Sequence, residues 1–193
     1  SDSITELPFK EENVLFVRGG THDADTYRRA SAADARLAIV LSPDYTDPHS
    51  DAIVAAAVSV IDSIETDIHI VAECLHEKHR ELFRSVRCDA IVSGLKMAGN
   101  LLVQEVHDPG ISRVMEVITS NRIGDTLFST EVTEGGVAYT PLVARLLERD
   151  INVLAVNRDG ETITTFRGVT SEPGDRLVYV ARLRRNWAEL TAG

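Results

Sequence analysis

Residues 14–44 read VLFVRGGTHDADTYRRASAADARLAIVLSPD, and residues 68–93 read IHIVAECLHEKHRELFRSVRCDAIVS. Three short apolar runs stand out: Val14–Val17, Leu37–Leu41 and Ile68–Ala72. A fourth, Ala90–Val92, follows the third after a helical stretch. Each is continuous and rich in β-branched residues, as a strand buried on both faces reads. Helical segments alternate with them, which predicts a parallel sheet covered by helices. In such sheets ligands sit beyond the carboxyl ends of the strands. Those ends read Arg18-Gly19-Gly20-Thr21, Ser42-Pro43-Asp44 and Glu73-Cys74-Leu75.

Working outward, Asp47 is placed to cap the helix after the second run. Pro48 suits its first turn, and Ile53, Ala57, Val60, Ile61 and Ile64 form its core stripe. Leu75, His79, Leu82, Phe83 and Val86 do the same for the next helix, and Ser93 is placed to cap a fourth. Met97, Leu101 and Leu102 recur there at helical spacing until His107-Asp108-Pro109-Gly110 breaks the chain. Ile111, Val114, Met115 and Ile118 line a further amphipathic segment. Two apolar-faced helices joined by a Pro-Gly elbow either pack on their own sheet or form an arm that crosses to a partner subunit.

The last 70 or so residues change character. A strand near 126–132 precedes a helix with Thr140 as cap, Pro141 in its first turn, and Leu142, Leu146 and Leu147 inward. Strands follow near 152–156, 162–166 and 177–181, the first two joined by a hairpin at Asn157-Arg158-Asp159-Gly160. This is a β-α-β-β-β unit, and its boundary is expected near 119–124.

The ordered series of motifs resembles the regulator of potassium conductance (RCK) domain, also known through its TrkA-N and TrkA-C lobes. That family's pattern is a strand ending Gly-Asp-Ala/Pro-Thr, an Ala-rich segment into a strand, a strand ending Ile-Ala-Glu, and a closing Gly-Ala-Asp-x-Val-Ile-Ser. Here the last reads Arg87-Cys88-Asp89-Ala90-Ile91-Val92-Ser93. Gly174-Asp175-Arg176-Leu177 resembles the Gly-Asp-x-Leu turn of the C-terminal lobe. The resemblance implies an α/β fold: a Rossmann-like parallel sheet with helices on both faces over residues 1–94, incomplete at its N-terminus. A helix-turn-helix dimerisation crossover would follow over 95–120, and a small α+β lobe over 121–193. It implies a cytoplasmic gating domain of a potassium channel or uptake system, on the cytoplasmic face of the plasma membrane. Its partners would be a second copy, or a ring, joined through residues 95–119, and a transmembrane potassium pore. The alternatives are a piece of an NAD-dependent Rossmann-fold enzyme and a regulatory domain of a potassium/proton antiporter.

A dinucleotide fold needs a Gly-rich turn after its first strand, and no G-x-G-x-x-G occurs in the 193 residues. The resemblance places VLFV as the family's third strand, so two strands and a helix are expected upstream of Ser1. In the order 3-2-1-4-5-6 the third strand does not touch the fourth. Val14–Val17 would then lack a neighbour in the sheet unless it docks in some other way.

Composition bounds the function. With 44% hydrophobic and 26% charged residues the chain is an ordinary globular one. A net charge of −10 argues against nucleic-acid binding. No apolar stretch is long enough to span a bilayer. Cys74 and Cys88 lack metal-type spacing and read as reduced thiols.

No nucleophile elbow is present and neither thiol has a base partner, so the chain reads as non-enzymatic with no catalytic residue. The ligand-binding candidates are Gly19, Gly20, Ser42, Pro43, Asp44 and Glu73. Two glycines at a strand end let a ligand approach the backbone. The resemblance implies that the Ser42 loop faces nucleotide phosphates. In the family's calcium-gated members three carboxylates bind the ion, but this chain has Gly20, Glu73 and Leu75 at those positions. A nucleotide of the NAD or ATP type, or a divalent cation, is the cofactor class implied for the parent protein. His76 and His79 with Glu73 offer zinc donors, but the run lacks the spacing of H-E-x-x-H and reads as a polar helix start, so no metal set is assigned. The run Arg182–Trp187 reads as a solvated strand end or helix start rather than an RNA contact.

Overall fold

The computed structural model describes residues 14–65, 67–120, 122 and 124–192. They fall into two compact units that divide between Val103 and Gln104.

In the first unit the helix α1 spans Ala24–Arg29, and a 3-10 turn spans Ala32–Asp34. Strand β1 is Leu37–Val40, helix α2 Ser50–Ile64, and strand β2 His69–Glu73. A second 3-10 turn, Glu77–His79, leads into α3, Arg80–Ser85, and then β3, Ala90–Val92. The sheet order is β1-β2-β3 and both pairings are parallel. Parallel strands need crossovers, and α2 and α3 supply them.

The register puts Ala38 and Val40 beside Ile70 and Ala72. Beneath that face lie Val54, Val58 and Ile61 of α2 and Phe83 of α3, in one buried cluster. The core stripe of α2 is thus rotated from the expected one, with Val54 and Val58 inward in place of Ile53, Val60 and Ile64. On the opposite face Leu37 and Ile39 are 54% and 65% exposed, and Val92 is 44% exposed. Among the described residues the outer edge of β1 pairs with no strand.

Val14–Val17 corrects the reading of the sequence. It lies in no strand, and Leu15 is 94% exposed. An apolar run becomes a strand only where a neighbour takes its backbone groups, and no described strand lies beside it. Three caps also differ. Asp47 accepts the N–H of His49 at 2.8 Å and its carbonyl that of Ser50, so α2 starts at Ser50 and not at Pro48. The hydroxyl of Ser93 is buried without a hydrogen-bond partner, so it does not cap the helix after it. Thr140 sits inside its helix and donates to the carbonyl of Phe166.

The closing motif does structural work at the far end of the sheet. The Asp89 carboxylate accepts the N–H of Ile70 at 2.7 Å, and Asp89 N–H donates back to the Ile70 carbonyl. This lashes the start of β2 to the turn before β3. Arg87 stands where the resembled family has glycine, and it adopts the left-handed conformation with φ 56°, a region that costs a side chain about 1 kcal/mol.

Helix α4, Gly94–His107, straddles the two units. In the second unit α5 is Ile111–Thr119, and four strands follow as β4 Thr126–Glu131, β5 Asn152–Arg158, β6 Glu161–Ile163 and β7 Arg176–Ala181. Helix α6, Tyr139–Leu147, lies between β4 and β5, and α7, Trp187–Thr191, ends the unit. The sheet is antiparallel with order β4-β7-β5-β6. Asp159 and Gly160, at φ 48° and 84°, form the tight turn of the β5–β6 hairpin, because a two-residue turn matching strand twist needs both at positive φ. Leu142 and Leu146 point inward as expected, but Leu147 is 58% exposed. Trp187 is buried, and Asn186 and Glu189 form a reciprocal cap at the start of α7, so the basic tail is a helix start.

The elbow between α4 and α5 is held by Glu105, whose carboxylate accepts the N–H of Gly110 at 2.8 Å and of Ser112 at 2.7 Å. Those two bonds, that from Ser112 foremost, hold its pKa below the ordinary carboxylate value. No residue of α4 or α5 is buried. Leu95, Met97, Leu102, Val103, Val106 and Val114 are each more than half exposed.

Candidate functional site

The carboxyl ends of β1 and β2 bring two of the expected residues, Ser42 and Glu73, together. The Glu73 carboxylate ends β2, and one of its oxygens accepts the backbone N–H of Ser42 at 3.0 Å. The other accepts the hydroxyl of Tyr45, a bond that raises the phenol's pKa. Gly94 at the start of α4 faces the same carboxylate, and a Cβ there would stand 3.7 Å from Glu73 Oε1.

The loop after β1 is knit by short-range bonds. Asp44 accepts the N–H and the hydroxyl of Thr46, both at 2.7 Å, which lowers its pKa. The Asp44 carbonyl accepts the hydroxyl of Ser50, at the first position of α2, and that of Ser42. Pro43 lies in this loop, where turn chemistry suits it. Gly19 and Gly20 belong to the segment before α1, and Gly20 accepts a turn bond from Asp23 N–H. A Cβ on Gly19 would collide with the Thr26 side chain, so that glycine is required for packing.

One candidate cluster escaped the reading of the sequence. His76 and His79 do meet a carboxylate, but it belongs to Asp51 in the first turn of α2, not to Glu73. The Asp51 side chain is fully buried. Its Oδ1 accepts the N–H of Leu75 at 2.7 Å. Its Oδ2 lies 3.1 Å from His76 Nδ1 and 2.7 Å from His79 Nδ1. Burial pushes its carboxyl pKa up, but the N–H of Leu75 and the two imidazoles outweigh burial and leave it below the ordinary value. Asp51 lies 25 residues from His76, and no local pattern announces such a pairing.

The thiols offer no nucleophile. Cys74 is buried and donates to the His76 carbonyl, and burial, with Asp51 nearby, raises its pKa. Burial also raises Cys88. A reactive thiol needs the opposite shift.

The calcium arrangement implied by the resemblance does not fit. Calcium takes 6–8 oxygen ligands. Of the three positions, Gly20 offers no side chain, Leu75 is buried and apolar, and Glu73 is engaged by Ser42 and Tyr45.

Comparison with known proteins places these features. Residues 2–94 match the family model of the TrkA-N domain. The calcium-gated potassium channel TvoK of Thermoplasma volcanium is 20% identical over 98% of this chain and 56% of the channel. The chain therefore spans about half the length of that curated relative. Among solved structures, the human SLO3 gating ring has a TM-score of 0.68 at 12% identity, over 87% of this chain and 36% of that one. The GsuK channel bound to NAD has a TM-score of 0.45 at 18% identity, over 91% of this chain and 30% of that one. The likeness to the SLO3 ring establishes the fold: a Rossmann-like α/β unit followed by an α+β lobe.

Proposed function

We propose, for a chain whose residues 2–94 match the TrkA-N domain model, that it is the regulatory gating module of a potassium channel or potassium transport protein. The observation that carries this reading is the reach of the likeness to TvoK. It runs through α4, α5 and the C-terminal unit as well as the Rossmann-like sheet. A nicotinamide-dependent enzyme would share the sheet alone. The module acts on the cytoplasmic face of the membrane and is not an enzyme. Among the described residues no helix is long and apolar enough to cross a bilayer, so in this reading the pore belongs to other parts of the protein.

The partner surface is the stripe on α4 and α5. Leu102 and Val106 are 71% and 80% exposed at i, i+4 spacing, and a second copy would bury them. A ligand that binds two arrangements of the paired modules with different affinity shifts the balance between them, and this shift moves the pore. Sedimentation of the isolated chain at tens of micromolar is expected to give a dimer or larger ring. The pair Leu102→Glu and Val106→Glu is expected to give monomers, and rubidium flux through vesicles carrying the full-length protein should lose its regulation in that variant. A monomeric wild-type chain, or a monomeric variant with unaltered flux, overturns the reading.

The regulating ligand enters at the ends of β1 and β2, beside Ser42, Pro43, Asp44 and Glu73, with Gly19 and Gly20 lining the approach. It is a nucleotide and not calcium, since one engaged carboxylate cannot replace a calcium shell. In the full-length protein, adenine nucleotides are expected to raise the thermal midpoint and millimolar calcium to leave it unmoved. A rise with calcium alone, abolished by Glu73→Gln, is the opposite result.

A further inference from the structure

We infer that Asp51, His76 and His79 form a binding site for a borderline-soft divalent cation of the zinc type. The three donor atoms, Asp51 Oδ2 and the two Nδ1 atoms, lie within 4.8 Å of one another. The inference does not rest on the potassium reading.

Three observations point to a cation. The first is charge. A buried carboxylate is normally paired with a cation or bound to a metal. Among the described residues the ion-pair partners of Asp51 are the two histidines alone. Neutral imidazoles bring no compensating charge, and a divalent ion does.

The second is valence. Asp51 Oδ2 faces three nitrogens: His76 N at 3.1 Å, His76 Nδ1 at 3.1 Å and His79 Nδ1 at 2.7 Å. A carboxylate has about four lone-pair sites over two oxygens, so three donors on one oxygen oversubscribe it. A metal ion between the rings and Oδ2 removes that crowding, because both Nδ1 atoms then turn from donors of a proton to donors of a lone pair. Each neutral imidazole then carries its single proton on Nε2 instead of Nδ1.

The third is geometry. Zinc takes nitrogen and oxygen ligands at about 2.0–2.2 Å in a tetrahedron, which sets ligand atoms about 3.3–3.6 Å apart. The 3.1 Å separation from His76 needs widening by a few tenths of an ångström, and the 2.7 Å separation from His79 by about 0.6–0.9 Å. Three protein ligands leave a fourth position for water. The two rings are 44% and 31% exposed, so that position opens to solvent and gives the ion a way in.

The positions of the donors follow from the fold. The parallel pairing of β1 and β2 brings the start of α2 beside the turn that leaves β2. The 3-10 turn Glu77–His79, closed by the His79 N–H to His76 carbonyl bond at 2.9 Å, folds the second ring back over the first. Ring centroids stand 5.3 Å apart. A bound ion would clip α2 to the loop after β2, where His76 stands three residues beyond Glu73. The nearby Glu77 pairs with Lys96 and Arg80 and is not needed as a ligand.

The test is titration of the full chain with zinc alone, followed by calorimetry and by thermal melting. Cobalt serves as the spectroscopic probe. One zinc per chain is expected, with a rise in thermal midpoint and the intense visible bands of four-coordinate cobalt. His79→Gln and His76→Gln should each lose the bound equivalent and the cobalt bands. Both rings are partly exposed, so circular dichroism should show either variant folded; where one is not, the other decides. Asp51→Asn keeps an acceptor for Leu75 N–H and should lose the metal too. Wild-type chain that takes up no zinc at micromolar concentration overturns the proposal and leaves a hydrogen-bonded clasp. Equal zinc uptake by wild type and His79→Gln, with unchanged cobalt bands, overturns it as well.

Discussion

Replacing Asp175 with alanine is expected to destabilise the C-terminal unit by about 3–5 kcal/mol, the cost of removing one partner from a buried ion pair. The Asp175 side chain is 1% exposed. Arg158 meets it through two parallel bonds: Nε to Oδ1 and Nη2 to Oδ2, both 2.7 Å. Tyr139 donates its hydroxyl to Oδ2 at 2.7 Å, and Glu172 its backbone N–H at 3.0 Å. Alanine would strand the Arg158 guanidinium and the Tyr139 hydroxyl together. Trp187, the single tryptophan, is buried in this same unit. Its fluorescence during urea unfolding therefore reports the loss. Glu172→Ala removes an arginine partner that is 59% exposed, and should cost no more than about 1 kcal/mol. Equal small effects from both substitutions would show that the quartet does not hold the unit together.

The same group sets an acid dependence. The Arg158 bonds hold the Asp175 carboxyl at about 2, against an ordinary value of 3.8. A depressed carboxyl stabilises the fold above its unfolded value. That contribution is complete above pH ~4 and is lost as pH falls towards ~2, amounting to about 2 kcal/mol. The upward shift of Arg158 is the same interaction seen from its partner and is not added. Stability of Asp175→Ala measured from pH 5 downward should lack this component.

Phe83→Ala is expected to cost the Rossmann-like unit a further 3–5 kcal/mol or so, the usual range for a buried aromatic. Phe83 is 0% exposed and packs against the buried cluster that includes Val58, Ile61 and Ile70. Its carbonyl also accepts the N–H of Cys88 at 3.2 Å, which turns the chain into β3. Hydrogen exchange at the β1–β3 amides should accelerate, since those bonds open with the core they sit on. Leu82→Ala, one residue away and 40% exposed, is the control and should cost under about 1 kcal/mol. A mild effect of Phe83→Ala would mean that α3 does not close the core over β2.

Periodicity made much of the architecture legible. Leu37–Val40, His69–Glu73 and Ala90–Val92 stand within a residue of their apolar runs, because a short β-branched run between helices has few other ways to bury itself. The hairpin at Asp159-Gly160 was equally plain, since its two residues suit positive φ. Helix starts were less so. Asp47 and Ser93 carry the right side chains for caps, but a cap is decided by where the preceding strand delivers the backbone. Val14–Val17 failed for a related reason, because strand formation needs a neighbour and composition cannot show whether one is there.

The candidate site residues divide along the same line. Ser42, Pro43, Asp44 and Glu73 were visible as strand ends, a property of position along the chain. That Glu73 is taken up by Ser42 and Tyr45 is a property of three dimensions. Local order along the chain dictated the strands, the hairpin and the family likeness, since each depends on neighbours a few residues apart. Only the folded packing chose Asp51 over Glu73 as the carboxylate facing His76 and His79. Parallel pairing of β1 with β2 carries the start of α2 across 25 residues of sequence to that turn, and no spacing rule spans such a distance.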